Sequence, residues 1–366
     1  MHILFALTVV FLLVQAVLYH RFGTKIMYDT RRYIAFAEEL RAGVWPTGYV
    51  NWYAGYCLVL FLADVLHTGY TSVVLLQMGV ALVALGSLFY LVLQVSGSRW
   101  KALLIALLFA TSFQVQVWNV YLLTESLFSS GILISAHLLH QSRYKASLAL
   151  LVPCVLLTML MRPNGFILLA SLLLYVIVAG WRRQKVLSRT LLVLCLLAIV
   201  PGLLFLNAHM AAFATFFKMS YLNGEVISGY RGVVLHPTAK LVYDSNDLSL
   251  ALVYDLVRSD VLYFVKLALA KLFFLFADVR PYYTWGHNLY LIAFLGVVYT
   301  LVFKNSYAFA KAQPALFVFL VSFIVLNAGL VMITYADWDG RFLAPLLGPM
   351  LIIGGGTENR LFNVRN

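Results

Sequence analysis

Long apolar runs separated by short polar breaks fill this chain from end to end. Runs of helix-spanning length lie at Ile3–Tyr19 and at about 70–95, 101–118, 121–140, 146–161, 163–180, 186–206, 261–277, 288–303, 314–334 and 341–356. A hydrocarbon core of ~30 Å takes about 20 helical residues to cross. The pattern therefore predicts an all-α polytopic transmembrane helix bundle of about 10–12 hydrophobic segments. No internal repeat or linker divides the series, so residues 1–366 read as a single integral membrane domain. The first run lacks a basic leader and a small-residue cleavage site, and reads as a retained helix rather than a removed signal.

Two stretches depart from the pattern. Residues 20–67 read as a first external loop with juxtamembrane elements. Within it, Met27–Gly43 mixes acids and bases as a short amphipathic helix, Thr30–Ala42, with Asp29 as its N-cap and Gly43 as its stop. Val44–Asp64 is aromatic and broken by Pro46, Gly48 and Gly55. Its uninterrupted apolar length is marginal for crossing, so a re-entrant or interfacial course is expected. Residues 207–260 form the second departure, an external polar loop.

Composition sharpens this picture. The chain is 63% hydrophobic and 11% charged, with a mean hydropathy of +0.91, against about a quarter charged in soluble domains. Its net charge of +12 is spread over short loops rather than gathered in one tract, which argues for lipid orientation and against nucleic acid. The loops Ser96–Lys101, Gln141–Lys145, Trp181–Arg189 and Lys304–Lys311 carry bases and no acid. Positive-inside logic makes them cytoplasmic. Gln114–Glu125, Arg162–Gly165, 207–260, Asp278–Asn288 and Tyr335–Arg341 then face outward together, with most of the remaining acids. Helix parity favours a cytoplasmic N-terminus if 50–66 does not cross; an external N-terminus with twelve crossings is the rival. Cys57, Cys154 and Cys195 lie in apolar runs without ligand spacing, and read as core residues.

The outward clusters supply the candidate chemistry, each beside a plainer reading. Asp29 caps a helix or meets a substrate; Tyr33 shares its helix face. Glu125 favours a helix N-terminus, yet an ionisable group at membrane depth is costly to keep without a use. Arg162, ahead of Pro163, sits between apolar helices, where a guanidinium needs a carboxylate or phosphate. Arg341 repeats that logic after Trp338. Lys266, Lys271, Arg280, Tyr282 and His287 surround an aromatic loop that reads either as snorkelling lysines with an aromatic belt or as a phosphate and sugar site. His236 and His287 are isolated, so no metal site is proposed.

Taken in order, Tyr28-Asp29…Tyr33, the aromatic juxtamembrane segment, Leu122-Leu123-Thr124-Glu125-Ser126, Arg162-Pro163, Arg280-Pro281-Tyr282-Tyr283 and Asp339-Gly340-Arg341-Phe342 before Pro345 resemble the GT-C class of integral membrane glycosyltransferases, near the protein O-mannosyltransferases and the aminoarabinose-transferase type. The resemblance covers most of the membrane portion and departs from the class in its single loop acid and in lacking a large C-terminal soluble domain. It implies inverting transfer of a sugar from a polyprenyl-phosphate donor to a glycan, lipid or protein acceptor. It places that transfer on the periplasmic or exterior side of a bacterial inner membrane. On that reading Asp29 is the general base, and Glu125 orients the acceptor or Arg162. Arg162 and Arg341, with Lys266, Lys271 or Arg280, bind the phosphate. The arrangement requires no metal cofactor and leaves room for a divalent one. An O-antigen polymerase or ligase and a non-enzymatic lipid-linked sugar transporter or flippase are the alternatives. Against the latter, transporters show repeated halves and mid-membrane charges.

Overall fold

The computed structural model describes residues 2–142, 144–181, 185, 186, 188–194, 197, 204, 207, 217, 218, 220–244 and 249–357. Arg143, Arg182, Arg183, Cys195, much of the expected span 186–206 and parts of the 207–260 loop lie outside the described residues. In chain order the helices are α1 (His2–Phe22), α2 (Tyr28–Arg41), α3 (Ala54–Val65), α4 (Tyr70–Ser96), α5 (Arg99–Thr111), α6 (Phe113–Gln116), α7 (Glu125–His140), α8 (Lys145–Met159) and α9 (Phe166–Gly180). A hairpin of β1 (Glu225–Ile227) and β2 (Tyr230–Val234) follows, then α10 (Leu250–Ser259), α11 (Val261–Ala277), α12 (Trp285–Ala312), α13 (Pro314–Ile333) and α14 (Ala344–Gly354). Helix dominates the described residues.

Among the described residues, five segments are long and apolar enough to cross a membrane: α1, α4, Pro163–Gly180, α12 and α13. A sixth exists if α5 and Phe113–Asn119, bent by 57°, are one span. Val50–Val65, α8 and α14 are shorter apolar helices. The protein is an integral membrane helix bundle. Its charges at helix ends and its breaks fall where local chemistry puts them. Gly97, at φ +65°, ends α4 in the left-handed conformation, with its N–H on the Leu93 carbonyl. Ser98 then accepts from the Lys101 N–H at 3.4 Å and starts α5. The expected 101–118 run bends because Ser112 turns extended (ψ 108°). The Ser112 N–H and Gln116 Nε2 then both donate to the Phe109 carbonyl, at 3.2 and 2.9 Å.

By contacts the chain divides into two compact units. The first comprises Met1–Tyr175, Gly296–Phe323 and Ala344–Asn366. In it α4 packs on α5 and α7, and α7 also packs on α8 and α14. Here α2 begins at Tyr28 and not at a capping Asp29. Thr30 does the capping: its Oγ1 accepts from the Met27 N–H at 3.0 Å and donates to the Leu122 carbonyl at 2.9 Å. A buried hydroxyl with a tertiary acceptor outcompetes the shorter-range cap at Asp29.

The second unit comprises Val176–Leu295 and Ile324–Leu343. The stretch read from sequence as a polar loop has its own apolar core there: Phe217, Tyr221, Val226, Ile227, Leu252, Leu256, Tyr263 and Leu267. α10 is amphipathic, burying Leu252 and Leu256 while Tyr254 and Arg258 stay exposed. Asp260 caps α11 through the Tyr263 N–H (2.9 Å) and clamps the preceding loop through the Thr238 hydroxyl (2.6 Å) and N–H (2.7 Å) and the Ala239 N–H (3.0 Å). The Thr238 hydroxyl, then the Tyr263 amide, hold its carboxyl down at about 2. Because this folded value lies below the unfolded one, the clamp is complete above ~4. It is lost as pH falls through about 2.

Close helix packing in the first unit rests on glycine. A Cβ at Gly131 of α7 would lie 2.1 Å from Thr158 Oγ1 of α8. Gly131→Ala is expected to lower the thermal midpoint, at a cost of ~1–3 kcal/mol for overpacking. Adding Thr158→Ala should recover part of that loss, measured by unfolding of single and double variants side by side.

Candidate functional site

Among the described residues, each unit carries a buried carboxylate–guanidinium pair. In the first, Arg162 Nη1 lies 2.9 Å from Glu125 Oε1, with side chains 4% and 0% exposed. Sequence reasoning singled out both residues, and the structure brings them together. Glu125 opens α7, where the helix dipole favours an acid. Arg162 holds an extended backbone at the turn between α8 and α9, and its guanidinium stands 5.7 Å from the Phe128 ring centroid. Pro163 starts a short 3₁₀ turn, in which the Gly165 N–H donates to the Arg162 carbonyl at 2.9 Å. A Cβ at Gly165 would meet the Met159 carbonyl oxygen at 2.3 Å. The short helix α3 braces the same turn. The Gly55 N–H donates to the Leu160 carbonyl at 2.8 Å, and a Cβ at Gly55 would sit 2.8 Å from Leu160 backbone atoms.

Asp29 belongs to this unit and lies close along the chain to an anchor of the same assembly. Lys25 and Tyr121 form a parallel bridge, with Lys25 N–H on the Val120 carbonyl (2.9 Å) and Leu122 N–H on the Lys25 carbonyl (3.0 Å). With the Thr30–Leu122 bond, this ties the first turn of α2 to the residues leading into Glu125. Asp29 itself is 30% exposed and pairs with Arg32 one turn on, at 3.7 Å. Tyr33 is buried against Tyr53 and Tyr56, at 5.1 and 5.7 Å between ring centroids. Of the two acids, one is open to solvent and the other is sealed.

Sequence reasoning missed a polar network behind these residues. Gln15 Nε2 donates to Gln116 Oε1 (2.9 Å), and Asn119 Nδ2 donates to both Gln116 (3.0 Å) and Gln15 (3.2 Å). Ser126 donates to Asn119 Oδ1 at 2.6 Å. Tyr56 donates to Gln77 Oε1 (2.8 Å), whose amide donates to the Asn119 and Tyr121 carbonyls at 2.9 Å each. The signal available was an amide inside an apolar run, which in hydrocarbon has to find a partner.

In the second unit Arg280 Nη2 lies 3.2 Å from Asp278 Oδ1, both side chains fully enclosed. The same guanidinium donates to the carbonyls of Phe274 (2.7 Å), Val279 (3.2 Å) and Asp337 (3.2 Å). Arg280 is thus a fork joining the end of α11 to the loop before α14. Asn288 clasps its backbone from both sides, accepting at 3.0 Å and donating at 2.9 Å. Asp278 takes φ +52°, and Gly340, at φ +77°, leaves room for its carboxylate: a Cβ at 340 would lie 2.6 Å from Asp278 Oδ2. Lys271 is buried with its amine on the Thr334 carbonyl at 2.5 Å. Lys266 is exposed, and Arg341 is half-buried. Tyr282 stacks on Trp338 (4.2 Å, 12°), and Tyr283 lies 4.4 Å from His287, centroid to centroid. Burial pushes the Tyr282 phenol up; Arg280 opposes this and Asp337 adds to it. No group of three or more metal-ligating side chains occurs among the described residues.

No family model, characterised protein or solved structure matches the chain, so the functional reading rests on these residues.

Breaking one partner of a buried pair strands the other charge, at a cost of ~3–5 kcal/mol. Glu125→Gln and Arg162→Gln are each expected to lower unfolding free energy on that scale. The double variant should lose clearly less than their sum. A double-mutant cycle from denaturant unfolding checks the coupling, and strict additivity would refute it.

Proposed function

We propose that the protein is a membrane glycosyltransferase of the GT-C type, moving a sugar from a polyprenyl-phosphate carrier to an acceptor at the exoplasmic face of a bacterial inner membrane. The observation that carries the reading is the division of labour in the first unit: a solvent-reaching acid, Asp29, on a helix anchored to the segment that leads into the sealed Glu125–Arg162 pair. Transfer needs few parts. Asp29 takes the proton as an acceptor hydroxyl or amine attacks the anomeric carbon. The bond from that carbon to the phosphate oxygen breaks, its electron pair leaves with the carrier phosphate, and one displacement inverts the centre.

Enclosure assigns the remaining roles. Glu125 is too buried to exchange a proton with a headgroup-level acceptor, and the reading makes it the positioning partner of Arg162. Arg280 and Lys271 are occupied by the protein's own carbonyls. Among the nominated cations, Lys266 is exposed and Arg341 is half-buried. A transporter reading draws on the buried amides of Gln15, Gln116 and Asn119, but those groups satisfy one another.

Asp29→Asn, purified and folded, is expected to lose ~10²-fold or more in transfer from a panel of polyprenyl-phosphate sugars, with little change in thermal midpoint. Glu125→Gln should lose both transfer and stability. Undiminished transfer in Asp29→Asn removes it as the base.

A further inference from the structure

One end of the first unit gathers bases that the transfer chemistry leaves unused. α14 closes that end. The Asn305 amide of α12 donates to the Gly354 carbonyl at 2.7 Å, and a Cβ at Gly355 would lie 2.6 Å from Val92 Cγ1, one turn before α4 stops at Ser96. The last turn of α4, the first turn of α5 and residues 301–305 of α12 therefore stand at one level. That level carries Arg99 and Lys101 of α5 and Lys304 of α12, with Lys311 two turns further on. All four are exposed, and none has an ion-pair partner among the described residues.

The acids described in this unit, Asp29, Glu38, Glu39, Asp64 and Glu125, belong to its other end. Asp64 precedes α4 and pairs with Arg41 of α2. The carbonyls of Asn119 and Tyr121, just ahead of Glu125, take the amide of Gln77, which stands roughly 28 Å along α4 from Ser96. Nothing described at the basic end neutralises its charge.

Exposed rings fix the medium that meets those bases. Trp100 is 80% exposed, Phe303 81% and Tyr307 80%. On α12 Phe303, Lys304, Tyr307 and Lys311 share one face, while the exposed positions ahead of them there, Gly296, Val297 and Thr300, are uncharged. A bare ring is unfavourable in water, and a lysine is unfavourable in hydrocarbon. Both are satisfied where acyl chains give way to headgroups. Length agrees: α12 has 28 residues, about 42 Å, against ~30 Å of hydrocarbon.

We infer that this basic end, Lys304 and Lys311 of α12 with Arg99 and Lys101 of α5, binds the phosphodiester headgroups of anionic phospholipids and retains them on the folded protein. Orientation during insertion accounts for bases on one side of a membrane. It does not require loops far apart in sequence to meet at one level, or lysines to share a helix face with bare rings. A zwitterionic headgroup brings its own ammonium to four uncompensated cations, so the fit is to headgroups of net negative charge. Lysine supplies a point charge and arginine a fork of donors to the phosphate oxygens. The surface is independent of the transfer reading and needs no role for Asp29 or for the Glu125–Arg162 pair.

The test titrates phosphatidylglycerol or phosphatidylcholine into the delipidated full chain in a non-ionic detergent. Native mass spectrometry counts the retained lipid, and thermal unfolding is the second readout. The wild type should hold phosphatidylglycerol roughly tenfold more tightly than phosphatidylcholine, and its thermal midpoint should rise with the former alone. Lys304→Gln with Lys311→Gln, and Arg99→Gln with Lys101→Gln, should each cut that preference to about threefold or less. Their midpoints in phosphatidylcholine should match wild type, since the side chains changed are exposed. Lys240→Gln, at an exposed lysine of the second unit, should keep the full preference. Equal retention of the two lipids by the wild type overturns the inference, as does an undiminished preference in either double variant. Displacement of phosphatidylglycerol by millimolar inorganic phosphate also overturns it, because the occupant would then be a soluble anion.

Discussion

Enclosing a carboxylate and a guanidinium in an apolar helix bundle is the constraint on which the first unit turns. Neither Glu125 nor Arg162 can be left alone there, so the turn bearing Arg162 has to be delivered to the mouth of α7 within hydrogen-bond reach. Small residues make that delivery feasible. Gly165 lets the turn close on Met159, Gly55 lets α3 press on Leu160, and Gly131 lets α7 and α8 meet. The electrostatics of one pair thus sets the composition of three contacts that carry no charge.

The second unit uses arginine in the same structural way and to a different end. Arg280 gathers three carbonyls and one carboxylate through Nη1 and Nη2, so these donors stitch loop to helix and are not open to a phosphate of the carrier kind. Side-chain enclosure, more than charge, separates a cation that builds the protein from one that can meet a ligand. Lys271 falls with Arg280 in the first class, the exposed Lys266 in the second.

The helix bundle could be read from the chain because apolar runs of spanning length have few other uses. Glu125 and Arg162 could be found because charge between such runs is rare. Local rules misplaced the start of α2: Asp29 is a good cap in isolation, but Thr30 reaches a carbonyl 92 residues away, which no local rule sees. The bend at Ser112 and the hairpin at 225–234 were missed for a similar reason. Hydropathy averages over windows longer than a one-residue break or a three-residue strand.

The bonds that join Gln15 to Gln116 and Asn119 span 101 and 104 residues. They bear on biogenesis. At a synthesis rate of ~5–20 residues per second, about 100 residues take ~5–20 s to emerge. For that interval α1 sits in lipid with an amide that has not yet met its partner, and the Lys25–Tyr121 bridge is unformed. The segment bearing Lys25 and Thr30 therefore docks on residues 120–122 only after α4, α5 and α6 have been made. α1 likewise acquires Gln116 and Asn119 as neighbours only after the residues 101 and 104 positions on have been made.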